Sequence, residues 1–507
     1  MSSVASVTLL SPPSRSFNHF RPPMALLSLA GYLLKNQVST QIIDITPNTI
    51  VKNKSFLSNY QSQLTSVEAQ ILTKYQNNPS PVVGITCYTP EYFEVLTLAK
   101  KIKQINPKVF IVVGGIHPTL FTGQLLCEPN SPIDCEVVGE GEATLLELVN
   151  HLLSSTNWKK CLGIAYKSSR KPGFIVNPLR PLVTDLDSLY SSAYHLIDMD
   201  YYTSASPYSI RGCYLRSFYL LATRGCPSSC TFCVAKHLRS HNGGGSYTRV
   251  RSAVSLFSEI KLLKDKYKID SFYFIDDLFT INKDNVTKFC NLLSSHYKNS
   301  IVWGCSSKVS TLNEDLIKRM AASGCIQIDF GVERGSNDSL KAIQKGQSIE
   351  MVETIFKLCH RYHIRTFANY LVNLPGETET DLTDILNFNR RLKPEVVSLN
   401  VFTPYPGTDI YVTRAHLFTK TDYPNLTHGS DHITSEPSKY LFANHSVDLS
   451  TWANFHTRTL NPILPYLSFH LSLRYLKLLL HSGRLSSYLS GFKSLVLEFL
   501  NLKLRLG

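Results

Sequence analysis

At 507 residues the chain has room for about two to four domains. Its 43% hydrophobic and 18% charged residues fill ordinary globular cores and exclude a solvated, unstructured polymer. A net charge of +14 invites an anionic partner without choosing among nucleic acid, a membrane surface and an acidic substrate, and twelve cysteines are too few for a disulfide scaffold.

No run of about 18 uncharged apolar residues is present, so a spanning helix is not expected; the nearest stretch, 462–480, is interrupted by His470, Arg474 and Lys477. No acid precedes Asp44 and serines are frequent there, but 4–10 already reads as a strand that the following domain needs. A cytoplasmic protein beginning directly with its fold is the expectation.

The first 155 residues alternate strand-like and helix-like patterns. A run at 4–10 ends in Ser-Pro-Pro, and 23–35 carries Leu26, Leu27, Leu29, Ala30, Leu33 and Leu34 at helical spacing. Runs at 41–45 and 82–87 bracket a polar stretch at 48–79, and a helix is predicted at 90–104. The run 109–113 closes on Gly114-Gly115, and 135–138 closes on Gly139-Glu-Gly141-Glu before a helix at 143–153. Such alternation implies a parallel sheet with right-handed crossovers. Glycines at strand C-termini are where an open α/β sheet admits a ligand to its backbone, though tight turns need them too.

A hairpin from 161–166 and 173–176 is expected inside a connector. Strands predicted at 218–223, 272–275, 301–305, 326–332, 365–372 and 396–402 have helices between them, at about 250–267, 284–297, 314–322, 350–362 and 379–391. Six such repeats suit a partial (β/α)6 TIM-type barrel, whose active residues sit at strand C-ends. The expected class is thus α/β: a doubly wound, Rossmann-like parallel sheet over 1–155, a connector over 156–212, the barrel over 213–410 and a helical, basic C-terminal tail over 411–507.

The chemistry concentrates in Arg224-Gly-Cys-Pro-Ser-Ser-Cys-Thr-Phe-Cys, where Cys226, Cys230 and Cys233 stand as Cys-x3-Cys-x2-Cys. At this cysteine frequency the spacing arises by chance about 0.007 times in such a chain. Three thiolates on one loop match an iron–sulfur cluster and leave one iron of a cubane without a protein ligand, an open position that marks catalytic centres. A structural zinc with a distant fourth ligand is the competing account, disfavoured by the loop's place after the first barrel strand. Arg211-Gly-Cys213 repeats the opening but has Ser217 and Leu220 where partner cysteines would stand. The remaining nine cysteines read as small buried hydrophobes.

Cys226, Cys230 and Cys233, with Phe232 between the last two, resemble the signature of the radical SAM superfamily. The resemblance implies a 4Fe–4S cluster whose unique iron chelates the amino and carboxylate groups of S-adenosylmethionine; one electron then cleaves the sulfonium to a 5′-deoxyadenosyl radical, which abstracts hydrogen from an unactivated carbon. Phe274-Ile-Asp276-Asp277 stands where the family places its methionine-amino-group segment, although the usual Gly-Gly-Glu is absent and either aspartate has the alternative of binding only backbone. Phe330-Gly-Val-Glu333-Arg-Gly-Ser336 resembles the fourth-strand segment. Asn373-Leu-Pro375-Gly376-Glu377 resembles the fifth-strand Gly-Leu-Pro-Gly-Glu turn, with Asn for the first glycine, and Thr403-Pro-Tyr-Pro-Gly-Thr408 the sixth-strand close. Phe232, Asp276, Asp277, Glu333, Pro375 and Gly376 are thereby implied to shape the adenosylmethionine pocket. For Glu333 and Glu377 a carboxylate answering a helix dipole is the plain alternative.

Residues 21–30, Val113-Gly114-Gly115-Ile-His117-Pro and Val138-Gly139-Glu-Gly141-Glu resemble the cobalamin-binding domain found ahead of many radical SAM barrels. The resemblance implies a corrin against strand C-ends, beside Gly114, Gly115, Gly139 and Gly141. The Asp-x-His-x-x-Gly motif that would give cobalt a histidine is missing after Leu10. His19 lies in that loop without the flanking Asp and Gly, and His117 reads as a turn residue, so cobalamin without a histidine ligand is expected, or a domain that has lost its corrin.

Residues 451–507 carry seven Lys and Arg against one acid, Glu498, with leucines at helical spacing. A basic amphipathic helix points to a membrane surface or lipid-like substrate, against a helical cap on the barrel. Nucleic acid is not expected, since no RNA-binding module or stacking pattern is present. The sequence thus leads to a cobalamin-domain radical SAM enzyme of methyltransferase or cyclase type, fed by a flavodoxin or ferredoxin and acting on a small molecule, possibilities including a lipid-like or tetrapyrrole compound. A tRNA methylthiotransferase-like enzyme, needing a second cluster from residues such as Cys87, Cys127 and Cys135, and a non-catalytic cobalamin or redox sensor are the alternatives.

Overall fold

The computed structural model describes residues 5–13, 21–45, 60–169, 172–189, 193–206, 208–241, 247–297, 300–426, 440–442, 445–460, 473–482, 485 and 489. In the N-terminal half, β1 (Val7–Leu10), β2 (Thr40–Ile43), β3 (Val82–Thr86), β4 (Phe110–Gly114) and β5 (Cys135–Val137) pair in parallel in the order β2-β1-β3-β4-β5. Every side chain of β1 and β5 is buried, as a sheet covered on both faces requires. The cover is α1 (Met24–Lys35) with α5 (Glu142–Leu153), and α2 (Tyr60–Asn77) with α3 (Tyr92–Ile105). A one-turn helix, α4 (Ile116–Leu120), follows β4.

Helix α2 falls inside the stretch expected to be merely polar. Ile71 and Tyr75 are its buried described side chains, Val67 and Leu72 pack half-buried against the same core, and the Tyr75 hydroxyl donates to the Ser80 carbonyl at 3.0 Å. The expected hairpin forms from β6 (Ile164–Lys167) and β7 (Phe174–Val176). It pairs antiparallel onto β5, so the first sheet extends to Val176.

After α6 (Met199–Tyr202), the second sheet contains six parallel strands: β9 (Leu215–Leu220), β12 (Ser271–Phe274), β13 (Val302–Ser307), β14 (Cys325–Glu333), β15 (Arg365–Val372) and β16 (Val396–Val401). The short β8 (Ala205–Ser206) pairs antiparallel on the β9 edge, and the order β16-β15-β14-β13-β12-β9-β8 is that of an open half-barrel. Strand β9 ends earlier than the apolar run suggests because Thr223–Arg224 (β10) leaves the sheet to form a ribbon with Arg249–Val250 (β11). Short α7 (Ala235–Ser240) lies between the ribbon's two strands in sequence.

The outer layer is α8 (Ala253–Tyr267), α9 (Lys283–Tyr297), α10 (Glu314–Ala322), short α11 (Asn337–Ala342), α12 (Ile349–Arg361) and α13 (Glu379–Leu392). Ser252, Asn313 and Ser348 each accept a backbone N–H of the first turn, fixing where α8, α10 and α12 begin. Phe272, Phe274, Phe279, Phe289 and Trp303 pack between strands and helices, with the rings of Phe274 and Phe279 stacked at 4.2 Å.

Beyond α14 (Asp409–Thr413), α15 (Leu449–Leu460) covers the β16 edge, and Thr457 accepts the Leu399 N–H at 2.9 Å. Helix α16 (Leu473–Ser482) inserts Tyr475 and Leu479 among Ile210, Leu215, Val302 and Ile326, closing the N-terminal mouth of the half-barrel. The mouth formed by strand C-ends is the one left for chemistry. No helix among the described residues is long and apolar enough to cross a membrane.

Candidate active site

The three cysteines occupy the loop between β10 and α7. Gly225 opens it with φ +85°, and a Cβ there would strike the carbonyl and ring of Tyr247, so only glycine fits. Cys230 is buried and Cys226 and Cys233 are half-buried. The Cys233 N–H donates to the Cys230 carbonyl at 3.1 Å, and Thr231 N–H to the Ile343 carbonyl at 3.2 Å, which ties the loop to the segment after α11. Burial raises the Cys230 thiol, with Lys345 and Lys308 opposing, and pushes Cys233 up to about 11.

Lys345 pairs with Glu333 at 2.7 Å and stands 5.6 Å from the centre of the Phe232 ring; Lys308 donates to Ser228 at 3.3 Å. Two ammoniums beside the loop suit a centre that becomes anionic when thiolates bind iron. Among the described residues, the grouping whose candidate ligand atoms all lie within 4.8 Å is Glu147, His151 and Cys161. Three sulfurs on one loop, with two ammoniums nearby, fit the soft, anionic ligand set of an iron–sulfur cluster. Glu147 is engaged by Arg180 and His151 by Thr156 at 2.7 Å, so that other grouping is a set of ion-pair and hydrogen-bond partners. Cys87 and Cys135 are buried and Cys127 exposed, and none belongs to it.

The remaining strand ends surround this loop. Asp276, 2% exposed, accepts from the backbone N–H of Ala222 at 2.9 Å, from that of Thr223, and from the Thr223 hydroxyl at 2.7 Å. Burial pushes its carboxyl up to about 6 against those donors. It is committed to the chain leading into the cysteine loop, and Asp277 is the exposed member of the pair.

Glu333 ends β14 at φ +68°, its carboxylate on Lys345. Asn373 has φ +73°, the conformation for which the family's turn uses glycine and which Asn tolerates best among other residues. Its side chain then donates to the Phe402 and Tyr440 carbonyls at 3.0 and 2.9 Å and accepts the Phe442 N–H at 2.8 Å. Pro375 and Gly376 are exposed at the tip of this turn, with open space where a Gly376 Cβ would point. Glu377 is turned inward onto Arg334, Asn373 and His445.

In the N-terminal domain, Gly114 and Gly115 end β4 half-buried and exposed, with Gly139 and Gly141 half-buried after β5. Gly115 takes φ +113°, where a Cβ would meet the Cys87 carbonyl at 2.9 Å. This bare, partly exposed backbone margin at the strand C-ends fits a flat ligand such as a corrin laid against it. His19 lies outside the described residues.

His117 is fully buried among Tyr92, Phe121 and Tyr423, with Nδ1 3.1 Å from the Thr89 hydroxyl. Burial, then Lys420, lowers its pKa to about 3 from 6.5. Below the unfolded value the unfolded chain takes up a proton that the folded chain does not, so stability falls with pH. From about pH 7.5 to about pH 5.5 His117 alone should cost about 1.4 kcal/mol. Urea unfolding at both values, with His117→Gln flattening that part of the profile, checks this.

The two domains meet at the cysteine loop. Arg224 contacts Glu140, Glu142 and Ser28, and Arg249 contacts Glu140. Burial alone would raise both carboxyls, yet Arg249 and Arg224 hold Glu140, and Arg224 holds Glu142, below the usual range. These acids and Arg224 stand inside motifs legible in the sequence, but as a contact they were not read there. Lys308, Lys345 and His445 had no local signal at all.

Residues 220–388 match the radical SAM superfamily, and residues 15–149 match the B12 binding domain. The chain is 31% identical over 419 residues to an uncharacterized methyltransferase of Pyrococcus horikoshii, spanning 80% of this chain and 83% of that one. It is 27% identical over 397 residues to the anaerobic magnesium-protoporphyrin IX monomethyl ester cyclase of Rubrivivax gelatinosus, spanning 77% and 66%. Its fold is similar to that of the radical S-adenosylmethionine methyltransferase TsrM of Kitasatospora setae, solved with tryptophan and an adenosylmethionine analogue. The TM-score is 0.63 at 18% identity, covering 81% of this chain and 76% of that one.

The chain belongs to the radical SAM superfamily, among its members with an N-terminal B12 binding domain. It is an enzyme of the methyltransferase or cyclase type in that family, whose cofactors are a 4Fe–4S cluster, S-adenosylmethionine and cobalamin.

Proposed function

We propose that this enzyme transfers a methyl group from S-adenosylmethionine to carbon of a small molecule. The observation that carries this reading is the seam just described: the bare strand margin of the B12 binding domain is bonded through Glu140 and Glu142 to the residue two positions before Cys226. When bound, the cluster supplies the electron that cleaves adenosylmethionine and the corrin carries the methyl group.

The chain's own part is to bind and orient. Cys226, Cys230 and Cys233 would hold three irons of the cluster. Phe232, Asp277, Glu333, Pro375 and Gly376 would line the approach to the fourth, where Asp277, exposed beside the loop, would accept from the methionine ammonium. Asp276 acts one step back, fixing the backbone of Ala222 and Thr223. Gly114, Gly115, Gly139 and Gly141 would seat the corrin, while His117, buried and held by Thr89, is turned into the core. The proposed domain limits are 155, 212 and 410, although the 164–176 hairpin joins the first sheet and β8 (Ala205–Ser206) the second. Electrons would come from a flavodoxin- or ferredoxin-type donor, with the reaction proposed for the cytoplasm.

Protein reconstituted anaerobically should hold about four irons and one corrin and form 5′-deoxyadenosine only with reductant. Incubated with a cell extract and trideuteromethyl-labelled S-adenosylmethionine, it should put the label into one small molecule. An unlabelled product lacking two hydrogens would replace methyl transfer by ring closure.

A specific observation also favours a membrane-surface role for the tail. On α16, Tyr475 and Leu479 face the barrel while Leu473, Leu476 and Leu480 are exposed, as are Leu485 and Leu489 beyond it. An exposed leucine stripe in a strongly basic segment matches an anionic bilayer. The protein should sediment with vesicles containing phosphatidylglycerol and not with phosphatidylcholine alone. Leu476→Glu with Leu480→Glu should weaken that binding about tenfold or more; unchanged sedimentation would reduce the tail to a cap.

A further inference from the structure

The seam between the domains is built of charge. Arg224 Nη1 donates to Glu140 at 3.1 Å and Glu142 at 3.3 Å, while its Nη2 donates to Ser28 at 3.1 Å and to the other Glu142 oxygen. Directly across the ribbon from Arg224 is Arg249, whose two terminal nitrogens reach the two Glu140 oxygens at 3.0 and 2.8 Å. Ser28, on α1, donates to Glu142 at 2.6 Å, and Arg249 also reaches the Val183 carbonyl at 2.7 Å. Glu142 and Arg249 are 5% and 7% exposed.

Two guanidiniums against two carboxylates, largely out of water, add little net stability, because desolvation offsets their attraction; what such a network supplies is register. Its two ends are informative. On one side the acids alternate with Gly139 and Gly141; on the other, Arg224 lies between Thr223, which Asp276 anchors, and the glycine that opens the cysteine loop.

We infer that Arg224 and Arg249, closing on Glu140 and Glu142, are positioning residues that set the distance and angle between the corrin margin and the cluster loop. The clamp rests on the two-cofactor reading above only for its purpose; the geometry it fixes is measurable without either cofactor.

Spin labels attached through ketone-bearing residues at exposed positions 153, at the end of α5, and 254, on α8, report the separation of the domains by pulsed electron resonance. The wild-type chain should give one narrow distance distribution. Glu140→Gln with Glu142→Gln, which keeps the shape and removes the charge, should broaden it. Arg249→Lys, which keeps the charge and loses the fork, should broaden it less. A distribution unchanged in both variants overturns the clamp, and if the double variant does not fold, Arg249→Lys decides alone.

In reconstituted protein the double variant should hold wild-type iron and corrin. It should form 5′-deoxyadenosine in the absence of substrate within about twofold of wild type. The magnetic interaction between reduced cluster and cob(II)alamin should become heterogeneous; if that interaction is unchanged, the positioning role falls. If wild-type protein holds no corrin or cleaves no adenosylmethionine, the functional reading fails instead, while the spin-label distances still judge the clamp.

Discussion

Replacing Cys230 by alanine should leave a folded protein that holds almost no iron and has lost reductant-dependent cleavage of S-adenosylmethionine. The loss should be at least about a thousandfold, because every turnover needs the cluster's electron. Cys230 is the most enclosed of the three cysteines, and its loop is held by backbone hydrogen bonds that do not involve the sulfur. Removing one small buried side chain leaves those bonds in place and should cost the metal-free fold only about 1 kcal/mol.

The informative control is Cys213→Ser. Arg211-Gly-Cys213 mimics the start of the cluster motif, but Cys213 packs beside Leu215 and Tyr475 at the opposite mouth of the half-barrel, its sulfur 3.6 Å from Arg365 Nη1. Iron content and adenosylmethionine cleavage should be unchanged. Iron analysis and chromatography of 5′-deoxyadenosine check both variants, and cleavage surviving in Cys230→Ala would remove the cluster from this loop.

The strands were legible because both sheets are covered on their faces, so β1, β3, β4 and β5 read as short apolar runs punctuated by glycine. The cysteine triplet was legible because its chemistry is local. What escaped is long-range or weakly patterned. Helix α2 has mostly polar faces and buries little, so its Val67, Ile71 and Tyr75 spacing was too faint against its polar residues. The alternative uses of the Asp276–Asp277 pair could not be separated by sequence, since the choice is made by the N–H groups of Ala222 and Thr223, more than fifty residues earlier.

Asn373 looked like a departure from the family turn. In the fold it keeps the left-handed backbone, and its amide recruits Tyr440 and Phe442 from beyond the barrel. The acids of the Gly-Glu-Gly-Glu segment were equally opaque, because their partners lie across the domain seam.

Glu377 illustrates the same limit and gives the largest expected loss of stability. A carboxylate at a helix start is commonly read as a dipole partner, yet this one is fully enclosed: Oε2 accepts from Arg334, and Oε1 accepts the Asn373 N–H at 2.8 Å and faces His445 Nε2 at 2.9 Å. Arg334, 2% exposed, also donates to the Leu371 carbonyl at 2.9 Å and pairs with Asp381 at 3.0 Å; Asp381 in turn caps α13 through Thr378. Glu377 therefore joins the end of β14, the turn after β15 and the segment beyond the barrel.

Glu377→Ala strips a buried guanidinium of its closest partner and frees the Asn373 turn, which should cost about 3–5 kcal/mol, read as a lower midpoint in urea. Replacing both members, Arg334→Met with Glu377→Met, removes the stranded charge and should recover most of that stability. It should not restore the turn, so adenosylmethionine binding, measured by equilibrium dialysis with the cluster in place, should stay weak. Recovery of stability and of binding together would show that Glu377 only balances Arg334 and does not hold the Pro375-Gly376 tip over the cofactor.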